Sequence, residues 1–587
     1  MSASPRLLLG LAAVAVAFAA ADTYVVVLAL PDMMAGAGLA VDELQRAAPI
    51  VSGFLLGYVA MLPLIGRIAD LRGRVPVLVG SLVVFAVGSL VTAASYDLTS
   101  MVVGRFLQGV GGGGLVPATL ALVADMYPPS RRGVPLGVVG AVQEVGSVVG
   151  PLYGALVLAL ADWQAIFWVN LAVGLVLAAA LVSSTATHPP LTDPSAAAAW
   201  SRADRDPSNA RRAGPDVIGA VLAVLALILT TLVLLEPPSL ATGVTIGLAF
   251  LPVVGESRWL SPLALALYAT VAALVARSLL APRPLLDLRG WVSVGRRADL
   301  VGAALVAVSL GGVILAFATA DPEVQVFSPA GPWFLLAASV AGGLFWWRNR
   351  RVEEPLVPHG AFAATPAWGA LLVSFFVGAA LIAALVDIPI FARITVFPDS
   401  QLMAALVLVR LLAALPAGAL LGGYLVRLLP TGVITAAGML LAAVAFAWMS
   451  SWGLTSLEDP VATVPLVMAG LGFGLALAPV NASLLAATAD AVHGVASALL
   501  VVARMVGMLV GISALTTIGL RRYYSVQVDL PTPSEVCGAT TRCAEYTTLL
   551  KEAGLAQLQT VFVGAAVCAV AAGVLALVTF RTSRATG

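Results

Sequence analysis

Gly66-Arg67-Ile68-Ala69-Asp70-Leu71-Arg72-Gly73-Arg74 is a short polar stretch between two long apolar runs. The runs cover residues 47–66 and 75–95, and each has about the 20 residues that a helix needs to cross a bilayer. The two glycines let backbones approach closely, and Asp70 can pair with an arginine or a helix N-terminus. The arginines can hold the stretch at the level of the lipid headgroups. An ordinary basic turn between two membrane helices is the alternative interpretation of the stretch.

The rest of the chain has the composition of a membrane protein. It has 587 residues, of which 60% are apolar and 10% are charged, and its mean hydropathy is +1.02. Soluble domains have about 45–50% apolar and about 25% charged residues. The composition therefore excludes a soluble enzyme and a disordered scaffold. A nucleic-acid partner is excluded as well, because it would need a basic face and the net charge is only +1.

Apolar runs along the chain predict sixteen membrane helices in groups of six, four and six. The predicted spans are 7–30, 47–66, 75–95, 99–124, 134–160, 163–183, 216–236, 260–281, 298–319, 331–347, 366–392, 402–426, 431–450, 461–487, 494–519 and 556–580. A count of fourteen, with one hairpin in the membrane interface, stays open. The predicted units are a six-helix bundle (1–184), a cytoplasmic linker (185–215), extra hairpins (216–350, one of them inserted), and a second six-helix bundle (351–587) with an extracytoplasmic loop at 520–555.

The basic residues of the loops predict the orientation. With both termini in the cytoplasm, 21 basic residues fall in inside segments and 7 in outside segments, as the positive-inside rule requires. The near absence of lysine, with Lys551 as the single one, suggests a GC-rich bacterial genome. We therefore expect a bacterial inner-membrane protein. Ala19-Ala20-Ala21 could be read as a signal-peptide cleavage site, but the apolar run continues to Pro31.

Polar residues inside apolar spans are candidates for the functional site. Arg105 and Gln108 share one face of helix 4. An arginine within a span costs about 2.5–3.5 kcal/mol unless it has a partner or water, so Arg105 predicts a functional role. Asp22, Glu144 and Arg504 also lie at mid-span. We predict that these four charged residues bind protons or pair with groups that do, with Asp22 and Arg504 as mutual partners.

Two of these segments resemble motifs of the major facilitator superfamily. Gly66 to Arg74 is similar to the signature loop G-x-L-A-D-R-x-G-R-R, and Arg105 to Gly111 is similar to R-x-x-Q-G-x-G. Gly422-Gly423…Arg427 is a degenerate copy of the loop in the second half. The resemblance implies an all-α fold of two six-helix bundles with two to four extra linker helices. It also implies a conformational latch made of Gly66, Asp70, Arg72, Gly73 and Arg74.

Helices 1 and 5 resemble exporters within that family. Gly146-Ser-Val-Val-Gly150-Pro151-Leu-Tyr-Gly154 is similar to the antiporter element G-x-x-x-G-P-x-x-G-G. Its small residues permit close packing, and Pro151 can form a hinge. Asp22-Thr23-Tyr24, followed by Ala29-Leu30-Pro31, is similar to the D-x-T…A-L-P element of fourteen-helix drug:proton antiporters.

Together these motifs are most similar to the branch that contains mycobacterial triacylglyceride and multidrug exporters. The resemblance implies a lipophilic or amphipathic cargo, a periplasmic lipoprotein partner and a monomer within membrane lipids. It implies no cofactor, because the proton gradient supplies the energy, and the sequence has no phosphate-binding loop and no metal-ligand cluster. The resemblance fails at 216–281, where an additional hairpin is inserted.

Further polar residues have weaker support. Gln108, Gln143, Asp387 and Arg410 are candidates to line a cavity, although Asp387 and Arg410 could equally form a structural pair. Cys537 and Cys543 fall in the outside loop, where we favour a disulfide over free thiols.

Three other functions compete with export. An uncoupled lipid facilitator would have the same helices without proton coupling. A polytopic membrane enzyme would need catalytic residues that converge at the membrane edge, and the sequence suggests none. The Gly-Pro element of helix 5 argues against a solute importer.

Overall fold

The computed structural model describes residues 5–39, 44–185, 216–243, 246–281, 284–318, 330–398, 400–537 and 543–580. Its main helices are α1 Pro5–Gly36, α2 Leu44–Arg72, α3 Arg74–Ala93, α4 Leu98–Met126, α5 Gly133–Leu160, α6 Gln164–Thr185, α7 Val217–Leu235, α8 Pro262–Leu280, α9 Leu288–Arg297, α10 Leu300–Ala318, α11 Gly331–Asn349, α12 Thr365–Ile394, α13 Gln401–Leu425, α14 Thr431–Met449, α15 Thr463–Ala487, α16 His493–Val528 and α17 Ala544–Thr579. Short helical segments lie at Pro129–Arg131, Pro238–Ala241, Gly247–Ala249, Arg258–Leu260, Ser456–Glu458, Pro460–Ala462, Asp490–Val492 and Pro533–Cys537. Within the described ranges, every regular element is a helix.

Each of the sixteen predicted spans coincides with one of the long helices, and only the short α9 was not predicted. By length and composition, fourteen helices in the described part of the chain can cross a membrane. The other two long helices are α1, whose described apolar segment is Leu7–Thr23, and α11, which contains three tryptophans and Arg348. The chain is an all-α, multi-pass membrane protein.

The first and last six long helices repeat one packing scheme. In the first half, α4 packs against α2 and α3, α1 packs against α5, and α3 packs against α6. In the second half, α15 packs against α13 and α14, α12 packs against α16, and α14 packs against α17. The two halves meet where α5 packs on α13 and where α2 packs on α16. We call the end of the molecule with the Gly66–Arg74 loop the motif face, and the opposite end the far face.

Glycines set the close contacts inside the first half. A Cβ added to Gly150 of α5 would lie 2.5 Å from the carbonyl oxygen of Ala21 in α1. Gly146 lies closer still to Ala17, and Gly154 lies beside Val25. The predicted hinge glycines of α5 therefore form its contact with α1. The side chain of Pro151 lies outside the described part of the chain.

The middle of the chain forms two hairpins of the same construction. Asp216 precedes α7 and pairs with Arg277 near the end of α8, at 3.1 Å, and Asp299 precedes α10 and pairs with Arg348 near the end of α11, at 2.9 Å. Hydrogen bonds from the backbone N–H groups of Gly219 and Leu285, together with Arg277, hold the pKa of Asp216 below its ordinary value. The hairpin α10–α11 lies against α2 and α16 through α10. The predicted linker lies outside the described residues except for Thr185.

Candidate functional site

Asp22 and Arg105 form the centre of a buried polar cluster in the first half. Asp22 of α1 is 2% exposed and Arg105 of α4 is 1% exposed. An Nη1–Oδ2 distance of 2.9 Å joins them, and Asn170 of α6 donates to the other carboxylate oxygen of Asp22. Arg105 also donates to Gln108 at 2.9 Å, and its guanidinium lies 4.5 Å from the ring centroid of Phe54. Both charges are thus compensated within one half of the molecule.

Gln108 extends this buried polar cluster to α3. Its amide nitrogen donates to the hydroxyl of Ser89 at 2.9 Å, and its carbonyl oxygen accepts from Thr92 at 3.2 Å. Sequence reasoning placed Gln108 in a cavity, but the structure places it in this network. The sequence analysis did not identify Asn170, Ser89 and Thr92 as members of this network. An asparagine in the apolar run of α6 is the signal that could have found Asn170.

A second polar site lies between the two halves and is called here the central cavity. Its volume is about 40 Å³, which has room for a few water molecules. The polar lining consists of Gln143 and Glu144 from α5, Ser374 from α12, Asn481 from α15 and Arg504 from α16. Valine, leucine and alanine side chains supply most of the remaining lining.

Glu144 and Arg504 face this central cavity from opposite halves. Glu144 is 9% exposed, and Arg504 lines the same cavity of about 40 Å³. Among the described residues, neither charge takes part in an ion pair within 4.0 Å. The two opposite charges therefore share one small cavity without forming an ion pair in the described structure.

The structure corrects two predicted pairings. Asp22 does not pair with Arg504, because both of its oxygens are occupied by Arg105 and Asn170. Asp387 does not pair with Arg410, whose guanidinium instead donates to the Thr463 hydroxyl at 3.0 Å. Neither Asp387 nor Arg410 lines the central cavity, whereas the predicted cavity residue Gln143 does.

The Gly66–Arg74 loop joins the two halves at the motif face. The carboxylate of Asp70 accepts hydrogen bonds from the backbone N–H groups of Gly494 at 2.7 Å and Val495 at 3.0 Å, at the start of α16. A helix N-terminus carries partial positive charge, so an acid there is stabilised. A Cβ on Gly66 would lie 2.6 Å from the carbonyl oxygen of Gly494. We call this contact of Gly66 and Asp70 with α16, together with Arg74, the motif latch.

Arg74 completes the motif latch, and Arg72 does not belong to it. Arg74 pairs with Asp70 and, at 3.2 Å, with Asp125, and it donates to the carbonyl oxygen of Asp490 at 3.3 Å. Gly73 has φ +97°, which favours glycine, and it forms the turn between α2 and α3. Arg72 pairs with Asp287 before α9 instead. The predicted latch residue Arg72 therefore contacts α9 and its preceding residue, and it takes no part in the hydrogen bonds between Asp70 and α16.

The other seam between the halves, where α5 meets α13, contains a close contact between glycines. Gly133 and Gly137 of α5 lie against Gly423 of α13, with a Cβ on Gly133 only 2.5 Å from the Gly423 carbonyl oxygen. Gly423 belongs to the degenerate copy of the loop, which lacks the acid.

At the far face, Cys537 and Cys543 are joined by a disulfide.

Sequence comparison relates the chain to transporters. The family model described as Major Facilitator Superfamily matches residues 12–347. A protein named triacylglyceride transporter from Mycolicibacterium smegmatis is 33% identical over 520 residues, which cover 87% of this chain and 75% of the relative. A second protein named as a triacylglyceride transporter, from Mycobacterium tuberculosis, is 30% identical over 545 residues. The match covers 90% of this chain and 86% of the relative.

Solved structures show the same fold at low identity. The human organic anion transporter MFSD10 (TETRAN) matches with a TM-score of 0.56 and 14% identity, over 97% of this chain and 99% of that one. The proton:xylose symporter XylE, bound to 6-bromo-6-deoxy-D-glucose, matches with a TM-score of 0.50 and 12% identity, over 96% and 94%.

Proposed function

Because the chain belongs to the major facilitator superfamily, and is thus a membrane transporter and not an enzyme, we propose that it is a proton-coupled exporter. Its cargo is lipophilic or amphipathic: drugs, lipids such as triacylglycerides, or both. Transport proceeds by alternating access, in which the two six-helix halves rock about the central cavity. The proton gradient supplies the energy, and no cofactor takes part.

The observation that carries this proposal is the placement of Glu144 and Arg504 on opposite sides of the central cavity. A charged Glu144 attracts Arg504 across the two halves, and a protonated Glu144 does not. Because the cavity excludes most water, the difference is larger than it would be in solvent. Proton binding at Glu144 therefore changes the free energy of closing the halves, which is the requirement for coupling.

Asp22 supplies the second proton site of the proposal. Its carboxylate is compensated by Arg105 and Asn170 in the first half. Protonation would leave Arg105 with Gln108 as its remaining partner in the cluster. That change alters the contact of α1 with α4 and, through Gly146 and Gly150, the contact of α1 with α5.

The motif latch defines the state that this structure represents. Asp70 and Arg74 hold α2 and α3 against α16, so the motif face is closed. With the motif face in the cytoplasm of a bacterium, as the loop charges predict, cargo bound from inside would leave at the far face. A cavity of about 40 Å³ cannot hold a lipid, so the cargo binds when the halves separate.

The apolar lining of the central cavity and the names of the mycobacterial relatives support a lipid-like cargo. By the same relationship we propose a monomer that passes its cargo to a periplasmic lipoprotein.

The test is transport by the purified protein in proteoliposomes with an imposed pH gradient. A fluorescent triacylglyceride analogue and a cationic dye are the two probes. We expect gradient-dependent transport by the wild type and loss of that dependence in Asp22→Asn and Glu144→Gln. Transport that ignores the gradient in every case would favour an uncoupled lipid facilitator.

A further inference from the structure

The short helix α9 has two different faces. Leu288, Trp291 and Val294 are half-buried and face the protein, with the Trp291 ring against Gly80 of α3. Arg289, Val292 and Arg296 recur at helical spacing on the other side and are exposed. A ten-residue helix of this kind, placed between the ends of two membrane helices, is typical of a segment that lies in the membrane interface.

Arg72 of α2 is inserted into a socket formed by α9 and the residue before it. Its guanidinium pairs with Asp287 at 2.5 Å and lies 5.2 Å from the ring centroid of Trp291. Gly290 leaves the space for it, because a Cβ there would overlap the Arg72 guanidinium. Asp287 also caps α9 by accepting from the Gly290 N–H at 3.0 Å. The hydrogen bond from Arg72 is the main reason why the pKa of Asp287 lies below its ordinary value.

This socket lies beside the motif latch. Arg72 is two residues from Asp70, and both belong to the last turn of α2. Asp70 binds the N-terminus of α16 while Arg72 binds α9. The last turn of α2 therefore contacts both α9 and the helix end that closes the motif face.

The outer surface around α9 is basic and apolar at once. Arg289, Arg296 and Arg297 are exposed, and Leu285 and Val292 beside them are exposed as well. The two acids in the described part of 281–299, Asp287 and Asp299, are both paired with arginines. The exposed surface thus carries uncompensated positive charge beside apolar side chains, and it continues the lipid-facing surface of α8 and α10.

We propose that α9 binds anionic phospholipid headgroups of the leaflet at the motif face, and that this binding stabilises the closed motif latch through Arg72. The phosphates contact the three exposed arginines, while Leu285 and Val292 enter the boundary with the acyl chains. Anionic lipid then acts as a regulator of opening. The proposal does not depend on the identity of the cargo or on proton coupling.

The first experiment measures lipid binding by the full-length protein in detergent. Short-chain phosphatidylglycerol is titrated against short-chain phosphatidylcholine, and the shift of the melting temperature is recorded. Each arginine near an anionic surface contributes about 1 kcal/mol, so the neutral variant Arg289→Gln/Arg296→Gln should weaken phosphatidylglycerol binding about thirtyfold. The matched control Arg131→Gln/Arg427→Gln removes two exposed arginines of the same face and should bind like the wild type. Equal weakening in both double variants would overturn the site.

The second experiment measures the latch. Spin labels at Ser130→Cys and Ala489→Cys, both exposed near the latch on opposite halves, report its opening in a Cys568→Ser background. In nanodiscs with phosphatidylglycerol we expect a larger closed population than in pure phosphatidylcholine, for the wild type and the control. Arg72→Ala should keep the lipid-dependent melting shift but lose the lipid-dependent closure. A closed population that follows phosphatidylglycerol equally in Arg72→Ala would show that the lipid acts elsewhere and would overturn the proposal.

Discussion

The buried polar cluster and the central cavity both contain an acid and an arginine, but they connect them differently. In the cluster, Asp22 and Arg105 belong to one half and are joined directly, with Asn170 on the remaining oxygen. In the cavity, Glu144 and Arg504 belong to different halves, and neither forms an ion pair within 4.0 Å in the part of the chain that the structure describes. The first site is a compensated element of a folded bundle, and the second is a pair whose separation depends on how the bundles meet.

This difference predicts unequal effects on stability at the two sites, although both acids are proposed proton sites. Removing a partner from the cluster leaves a charge uncompensated in the interior of one bundle, so the fold itself is weakened. Removing a charge from the cavity changes little inside either bundle, but it changes how the two bundles attract each other. Substitutions in the cluster should therefore lower the free energy of unfolding more than substitutions in the cavity.

The largest effect on stability is expected for Arg105→Ala. The variant leaves the buried Asp22 carboxylate without its cation, and breaking such a pair costs about 3–5 kcal/mol. Thermal unfolding in detergent, followed by loss of monodisperse protein, measures the effect. Arg410→Ala is the matched control, since its guanidinium makes one hydrogen bond to a hydroxyl worth about 1 kcal/mol. Equal melting temperatures for the two variants would refute the contrast.

Asn170→Ala should have an intermediate effect. It removes one hydrogen bond to the buried Asp22 carboxylate, and a hydrogen bond to a charged group contributes about 1.5–3 kcal/mol. Asn481→Ala in the cavity lining is its counterpart, because that amide donates within its own helix to the Leu477 carbonyl oxygen. We expect the Asn481 variant to lose about 1 kcal/mol or less in the same unfolding assay. The reverse order would place the stability-determining network in the cavity.

Glu144→Gln should have the smallest effect on stability and a large effect on coupling. The side chain keeps its shape and loses its charge, and no ion pair of Glu144 is present in the described structure, so we expect a smaller change of unfolding free energy than for Asn170→Ala. Transport driven by the pH gradient should fall to the rate measured without a gradient. Glu144→Asp, which keeps a titratable group, should retain gradient dependence. A strongly destabilised Glu144→Gln would mean that the cavity pair is structural after all.

The architecture could be predicted from the sequence because membrane helices are encoded by local composition. All sixteen long helices were found from apolar runs alone, since every backbone polar group in lipid must be satisfied within the helix. The short helix α9 was missed because its apolar residues are few and its arginines resemble an ordinary basic loop. Its role depends on where Arg72 lies, and that is a property of the assembled fold.

The individual charged residues could be found, but their partners could not. Asp22, Arg105, Glu144 and Arg504 were identified because a charge inside an apolar run is rare. Which of them meet depends on helix rotation and packing, which one sequence does not determine. Asp22 and Arg504 are complementary in charge, yet Asn170 and Arg105 occupy Asp22 from within the same bundle.

The two Asp–Arg pairs of the middle hairpins have a consequence for how such chains change length. Asp216 with Arg277, and Asp299 with Arg348, each close one hairpin with its own opposite charges. An in-frame duplication or deletion of one whole hairpin would leave neither member of its Asp–Arg pair without its partner in the membrane. It would also return the chain to the same side of the bilayer. Helix number in this protein can thus change by two in a single genetic event, with the orientation of both bundles in the membrane kept.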